Sequence, residues 1–222
     1  MNIKGVTGGI VGMMMLGGVS AQAGDAAVEF SIGTTGISAG AQWEALNRVV
    51  FRGGYNYLTF SLEDEDYDGV VYDAELEFNT LGGFVDFHPY RNGLTLTGGF
   101  FLGDKVVNLD ATPTEDVEIG SITFRPEDVG VLDGTAEYEN IAPYLGIGWD
   151  NTPYADGDLS FFARAGVMFM GSPDIELNST DGLLSDEVIF NEELQEEEEN
   201  LEEDLSDYEY YPVVNVGLSY KF

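Results

Sequence analysis

From Val28 onward, apolar and polar side chains take turns along the chain. Val28, Phe30 and Ile32 alternate with Glu29, Ser31 and Gly33, and Ile37, Ala39, Ala41 and Trp43 alternate with Ser38, Gly40, Gln42 and Glu44. A period of two, bounded by Gly, Asn, Asp and Pro, is the pattern of a half-buried strand. The same pattern predicts strands at Val49 to Leu62, Val71 to His88, Leu94 to Lys105, Thr135 to Trp149, Leu159 to Met170 and Tyr210 to Phe222, eight with the first two. Counting the first two separately requires a tight turn at Gly33-Thr34-Thr35-Gly36. An even number is what a single-chain barrel with both ends on one side needs.

The pattern also bears on which face meets what. Leu159, Phe161, Ala163, Ala165, Val167 and Phe169 form an unbroken apolar side, with Ser160, Arg164 and Gly166 opposite; Val214, Val216, Leu218, Tyr220 and Phe222 oppose Asn215, Gly217, Ser219 and Lys221. A soluble sandwich turns such an apolar side inward, whereas a membrane barrel turns it out to lipid. Connection lengths favour the barrel. Leu46 to Arg48, Pro89 to Gly93 and Asn151 to Asp158 are short, while residues 63–70, 106–134 and 172–209 form long acidic stretches, predicted as extracellular loops. Trp43, Phe87, Tyr90, Trp149 and Phe222 all lie beside the short turns or at the C-terminus, so they would gather at one membrane interface as an aromatic girdle. The expected fold is all-β: an eight-stranded antiparallel up-and-down transmembrane β-barrel.

Composition sharpens this picture. Residues 1–23 carry Lys4, an apolar stretch from Val6 to Val19 and Ala21-Gln22-Ala23, the pattern of a cleaved signal peptide. The barrel then occupies residues 24–222. There is no cysteine, which excludes disulfides and thiolate metal sites. A formal net charge of -33 argues against nucleic acid as a partner.

The last eight residues, Asn215-Val216-Gly217-Leu218-Ser219-Tyr220-Lys221-Phe222, resemble the insertion signal of outer-membrane β-barrel proteins, with Asn215, Gly217, Tyr220 and Phe222 at the signature positions. With the signal peptide and the girdle, the mature chain is similar in pattern to small outer-membrane barrels of the OmpA/OmpX type. The stretches "APYLGIGW" (Ala142 to Trp149) and "YYPVVNVGLSYKF" are similar to those of proteobacterial outer-membrane barrel proteins of unassigned function. The resemblance implies a location in the bacterial outer membrane, contact with its lipid and lipopolysaccharide, recognition by the barrel-assembly machinery, and a monomer. It implies no specific activity.

Candidate chemistry is sparse. "DEDYDGVVYDAE" fits a calcium-loop pattern through Asp64, Asp66, Asp68 and Glu75, but strands rather than helices flank it. Two readings stand: a solvated acidic hairpin loop, or a nonhelical site binding Ca²⁺ or Mg²⁺ weakly; no other cofactor is expected. The run "EELQEEEENLEEDLSDYE" is either a solvated segment or a helix with one thin stripe at Leu194, Leu201 and Leu205. His88, the sole histidine, sits beside a short turn, where it reads as structural; no catalytic signature appears. Glu29, Glu44, Arg52, Asp86, Arg164 and Lys221 fall on the inward phase, Asp86 provided that a bulge near Thr80-Leu81 shifts the register. An eight-stranded lumen is just wide enough to be filled by side chains, so paired charges are expected there. A structural or surface-interaction role, non-enzymatic, follows; a narrow pore or small-solute transporter is the alternative, and an outer-leaflet lipid-modifying enzyme the third reading.

Overall fold

Eight strands hydrogen-bond in a closed ring. In the computed structural model, which describes residues 26–67, 70–205 and 209–222, these are β1 (Ala26–Gly33), β2 (Gly36–Leu46), β3 (Val49–Tyr67), β4 (Val70–Phe87), β5 (Leu94–Pro113), β9 (Ile141–Asp150), β10 (Leu159–Phe169) and β12 (Tyr210–Lys221). Every neighbouring pair is antiparallel; β12 returns to β1 through pairs such as Val28 with Tyr220, and β9 returns to β5 through Leu94 with Trp149. The expected signal peptide and Asp68 lie outside the described residues. The first two strands are distinct: Gly36 turns the chain with φ of 85°, and a Cβ there would collide with the Tyr57 carbonyl oxygen. The start of β1 and the end of β12 meet at the short-turn end, where Phe222 N–H donates to the Ala26 carbonyl and Lys221 N–H to that of Asp158.

The period-two pattern puts the apolar rows outside. Phe30 is flanked across the ladder by Ala39 and Leu218, and its side chain is 64% exposed. Ile32, Ile37, Leu145, Ile147, Leu159, Phe161 and Leu218 are likewise exposed on the outer wall. Trp43 pairs with Phe51 and Ala26 near the short turns, and Trp149, Phe87, Tyr90 and Phe222 are exposed at the same end.

The expected bulge at Thr80-Leu81 is absent. β4 pairs without a break with both neighbours through Asn79, Thr80 and Leu81, and the one shift in its ladder with β3 lies between Leu62 and Glu65. The change of parity has another cause: apolar residues switch faces with height. Val85 and Phe87 are exposed near the short turns, while Phe78 and Phe84 are buried in the lumen.

The three long loops are more regular than their sequence suggests. Residues 63–70 are mostly the continuations of β3 and β4. Residues 106–134 hold the end of β5, the hairpin β6 (Val117–Ile119) and β7 (Ile122–Phe124), the single turn α1 (Pro126–Val129) and the start of β8 (Gly130–Glu137). Residues 172–209 hold β11 (Asp174–Asp181) and α2 (Val188–Leu205). The predicted strand from Thr135 to Trp149 is broken at residues 138–140 into β8 and β9, yet both pieces pair with β5 in one continuous register. Lys105 Nζ bridges the break, donating to the carbonyls of Gly103 at 2.6 Å and Asn140 at 3.1 Å. β11 then pairs with β8, so a five-stranded wall of β3, β4, β5, β8 and β11 rises above the barrel.

The acidic run is helical because it has something to bury. Phe190 and Leu194 pack with Ile119, Phe124 and Val129 in a small outer core, with Phe124 edge-on to Phe190 at 4.9 Å. Glutamates on α2 also have structural work. Glu198 accepts from the Leu177 N–H at 2.7 Å and Glu202 from the Ile175 N–H at 3.2 Å, covering the outer edge of β11. Glu193 and Glu197 accept from the N–H groups of Ser121 and Gly120 in the β6–β7 turn.

Candidate functional site in the barrel lumen

Inward positions of six strands converge on one charge network in the short-turn half of the lumen. Arg52 of β3 meets Asp86 of β4 through Nε at 2.7 Å and Nη2 at 3.3 Å, a two-pronged contact. Thr97 of β5 donates its hydroxyl to the same carboxylate at 2.6 Å. Arg164 of β10 meets Glu29 of β1 at 2.9 Å and Asp150 at the end of β9 at 2.5 Å. Arg52 stands 3.6 Å from Glu29, so that carboxylate joins the two arginines. Asp150 is held further by the Thr152 N–H and hydroxyl. Each guanidinium also lies on an aromatic face, Arg52 over Phe84 at 4.4 Å and Arg164 over Phe162 at 3.8 Å.

Glycines make room for these groups. A Cβ at Gly148 would come within 2.9 Å of Arg164 Cγ and 3.0 Å of Thr95 Oγ1. At Gly217 it would fall 2.5 Å from the Phe162 ring that carries Arg164. The glycine of the insertion-signal pattern is therefore also a packing position.

Above the network the lumen is apolar. Phe78, Phe84, Phe101, Tyr144, Met168, Met170 and Val213 form one buried cluster, with Leu58, Leu76, Tyr138 and Tyr211 packed against it. The rings of Phe84, Phe101 and Tyr144 meet edge to face at 5.1 to 5.6 Å. Between cluster and network remains a cavity of about 30 Å³, lined by Glu29, Arg52, Arg164, Asn56, Tyr144 and Asn215 among others. That is room for roughly two waters.

Of the six inward charges expected from sequence, Glu29, Arg52, Asp86 and Arg164 meet in this network. Glu44 and Lys221 do not join it. They line a smaller cleft near the short turns, where Lys221 Nζ donates to the Ala155 carbonyl at 2.7 Å. Sequence reasoning missed Asp150, although it continues the inward phase of Tyr144, Gly146 and Gly148. It also missed the aromatic cluster, of which Phe84, Met168, Met170 and Val213 occupy the parity taken to be polar.

The remaining candidates stand apart. Glu75 lies on β4 opposite Ser61; the side chains of Asp64, Asp66 and Asp68 lie outside the described residues. Among the described residues no group of three or more His, Asp or Glu side chains is arranged to hold a metal ion. His88 is buried in the β4–β5 turn, 2.9 Å from the Asn92 carbonyl through Nδ1 and edge-on to Tyr154 at 5.2 Å. A carbonyl only accepts, so Nδ1 carries a proton and the ring serves to brace the turn. Asn215 and Tyr220 lie on β12 and Phe222 follows it, Asn215 toward the lumen cavity and Tyr220 and Phe222 exposed.

Acinetobacter baumannii CarO2 superposes with a TM-score of 0.62 at 23% identity, over 90% of this chain and 100% of that one. Acinetobacter baumannii CarO gives 0.59 at 23% identity, over 90% and 98%. The likeness is one of fold. A major outer membrane protein from Thermus thermophilus matches at 12% identity with a TM-score of 0.43, over 89% and 98% of the two chains. No protein-family profile matches the chain, and no curated protein does.

Proposed function

We propose that this chain is an integral outer-membrane barrel with a plugged lumen, serving a structural or surface-interaction role through its acidic outer wall, and that it is not an enzyme. The observation that carries the reading is a belt of exposed Phe, Ile, Leu, Val, Trp and Tyr around a lumen filled by charge pairs and aromatic rings. Apolar-out and filled-in is the arrangement of a barrel that spans lipid without conducting. The partners of the belt are then membrane lipid and lipopolysaccharide, and the Asn215 to Phe222 strand is the segment offered to the assembly machinery.

Two measurements test it. Heat-modifiable, folded protein is expected in outer-membrane fractions, and purified protein in planar bilayers is expected to give no steady single-channel conductance. Step-like conductance that persists at constant voltage would replace this reading with that of a narrow pore.

A further inference from the structure

Above the β1–β2 turn the wall lacks two strands. Pairing of β2 with β3 stops at Ile37 with Tyr57, whereas β3 continues to Tyr67 with β4 alone. Thr59, Phe60, Ser61 and Leu62 are exposed at four successive positions, ending the alternation seen lower in the strand; Phe60 is 54% and Leu62 47% exposed. Two other outer edges are covered. On β12, Thr34 takes the Val214 N–H and donates its hydroxyl to the Pro212 carbonyl, and Pro212 has no N–H to offer. On β11, Glu198 and Glu202 cover the edge N–H groups. Among the described residues, β3 presents a bare strand edge.

We infer that this edge is a docking strip for an extended basic peptide segment, which adds to β3 as a further strand. The inference rests on the proposed outward orientation of this end of the barrel. A row of main-chain donors and acceptors is complemented by another backbone, with alternate side chains choosing the sequence. Phe60 and Leu62 share one face with Leu58, which packs on the lumen cluster, so the strip offers adjacent apolar contacts beside its hydrogen bonds. Charge selects the partner. The chain carries a net charge of -33, which attracts Lys and Arg and repels a second copy.

The test uses the folded barrel in neutral detergent and a labelled nine-residue peptide of alternating Lys and Val. Binding is expected with slowed hydrogen exchange at Thr59 to Leu62. Methylating alternate peptide nitrogens is expected to weaken it roughly tenfold or more, as two main-chain hydrogen bonds are lost. Phe60→Ser with Leu62→Ser is expected to weaken it while heat-modifiable mobility stays unchanged. Equal affinity for the methylated peptide, binding without protection at residues 59–62, or no binding would overturn the inference, as would a peptide-free dimer cross-linked through Ser61→Cys. Cell fractionation keeps the two readings separate. Peptide binding by a protein absent from outer membranes sinks the location alone, and an outer-membrane barrel that ignores the peptide sinks the docking strip alone.

Discussion

The two halves of the lumen solve one problem in opposite ways. Near the short turns, Glu29, Asp86 and Asp150 share Arg52 and Arg164; toward the outer end, Phe84, Phe101, Tyr144 and Met168 fill the same cross-section with rings and a thioether. Both exclude water, but they fail differently. An apolar side chain removed from the outer half leaves a hole, whereas a charge removed from the other half leaves its partners ionised in a place that no longer solvates them. Arg164→Ala therefore has the largest expected effect, a loss of about 3 to 5 kcal/mol, because Glu29 and Asp150 lose their shared cation together. Urea unfolding in lipid vesicles measures it. Replacing all three at once, Arg164→Met with Glu29→Gln and Asp150→Asn, is expected to recover most of that loss, since no uncompensated charge remains. A triple variant as unstable as Arg164→Ala would mean that packing on Phe162, not charge, sets the stability of this half.

Met168→Ala probes the other half. Met168 is 1% exposed inside the aromatic cluster, and its truncation is expected to cost about 2 to 4 kcal/mol, the spread reflecting how far the neighbouring rings collapse into the space. The same unfolding assay applies. A loss as large as that of Arg164→Ala would erase the distinction between the halves.

Much of the barrel was legible because an exposed apolar outer face and a narrow lumen impose a strict period of two. Phe30, Leu145 and Leu218 announce their face in the sequence, as do Arg52 and Arg164. The lumen cluster was not legible for a related reason. Once both faces of a strand are apolar at different heights, parity alone no longer separates the outer face from the lumen, and Phe78 beside Val85 looks like a slipped register. Asp150 follows Trp149 at a strand end, where a carboxylate reads as part of the turn. The outer wall was hidden by charge: the stability of α2 depends on Phe190 and Leu194 meeting Ile119 and Phe124, contacts between segments about 70 residues apart, and no local pattern reports them.

That outer wall extends the comparison from lumen to surface, where water weakens every effect. Glu198→Ala removes the carboxylate that accepts the Leu177 N–H. The expected loss is about 1 kcal/mol or less, because water can take the freed donor. It should be read as faster hydrogen exchange at Leu177 with the exchange of the barrel amides unchanged. Faster exchange throughout the barrel would show that wall and barrel unfold as one unit.

The smallest effect concerns charges of one sign placed side by side. Asp110 of β5 stands across the ladder from Asp73 of β4 and from Asp133 of β8, while Asp133 also accepts from the Thr180 hydroxyl of β11. Partial desolvation first, and then the neighbouring Asp133 and Asp73 charges, raise the Asp110 pKa above the ordinary carboxylate value. The folded wall thus holds a proton there at a pH where the unfolded chain has released it, so protonation favours folding. The contribution grows as pH falls through the raised folded value and fades as pH rises above it, opposite in sign to an acid paired with arginine. Asp110→Asn removes the repulsion at neutral pH. Like charges directly opposite on a sheet are worth about 0.2 to 1 kcal/mol, and exposure puts this site at the low end. The variant should slow hydrogen exchange in β5 and β8 above the barrel at pH 7, and the difference from the parent should shrink as the solution is made acidic. A difference that stays constant with pH would assign the effect to the amide's own hydrogen bonds instead of the lost charge.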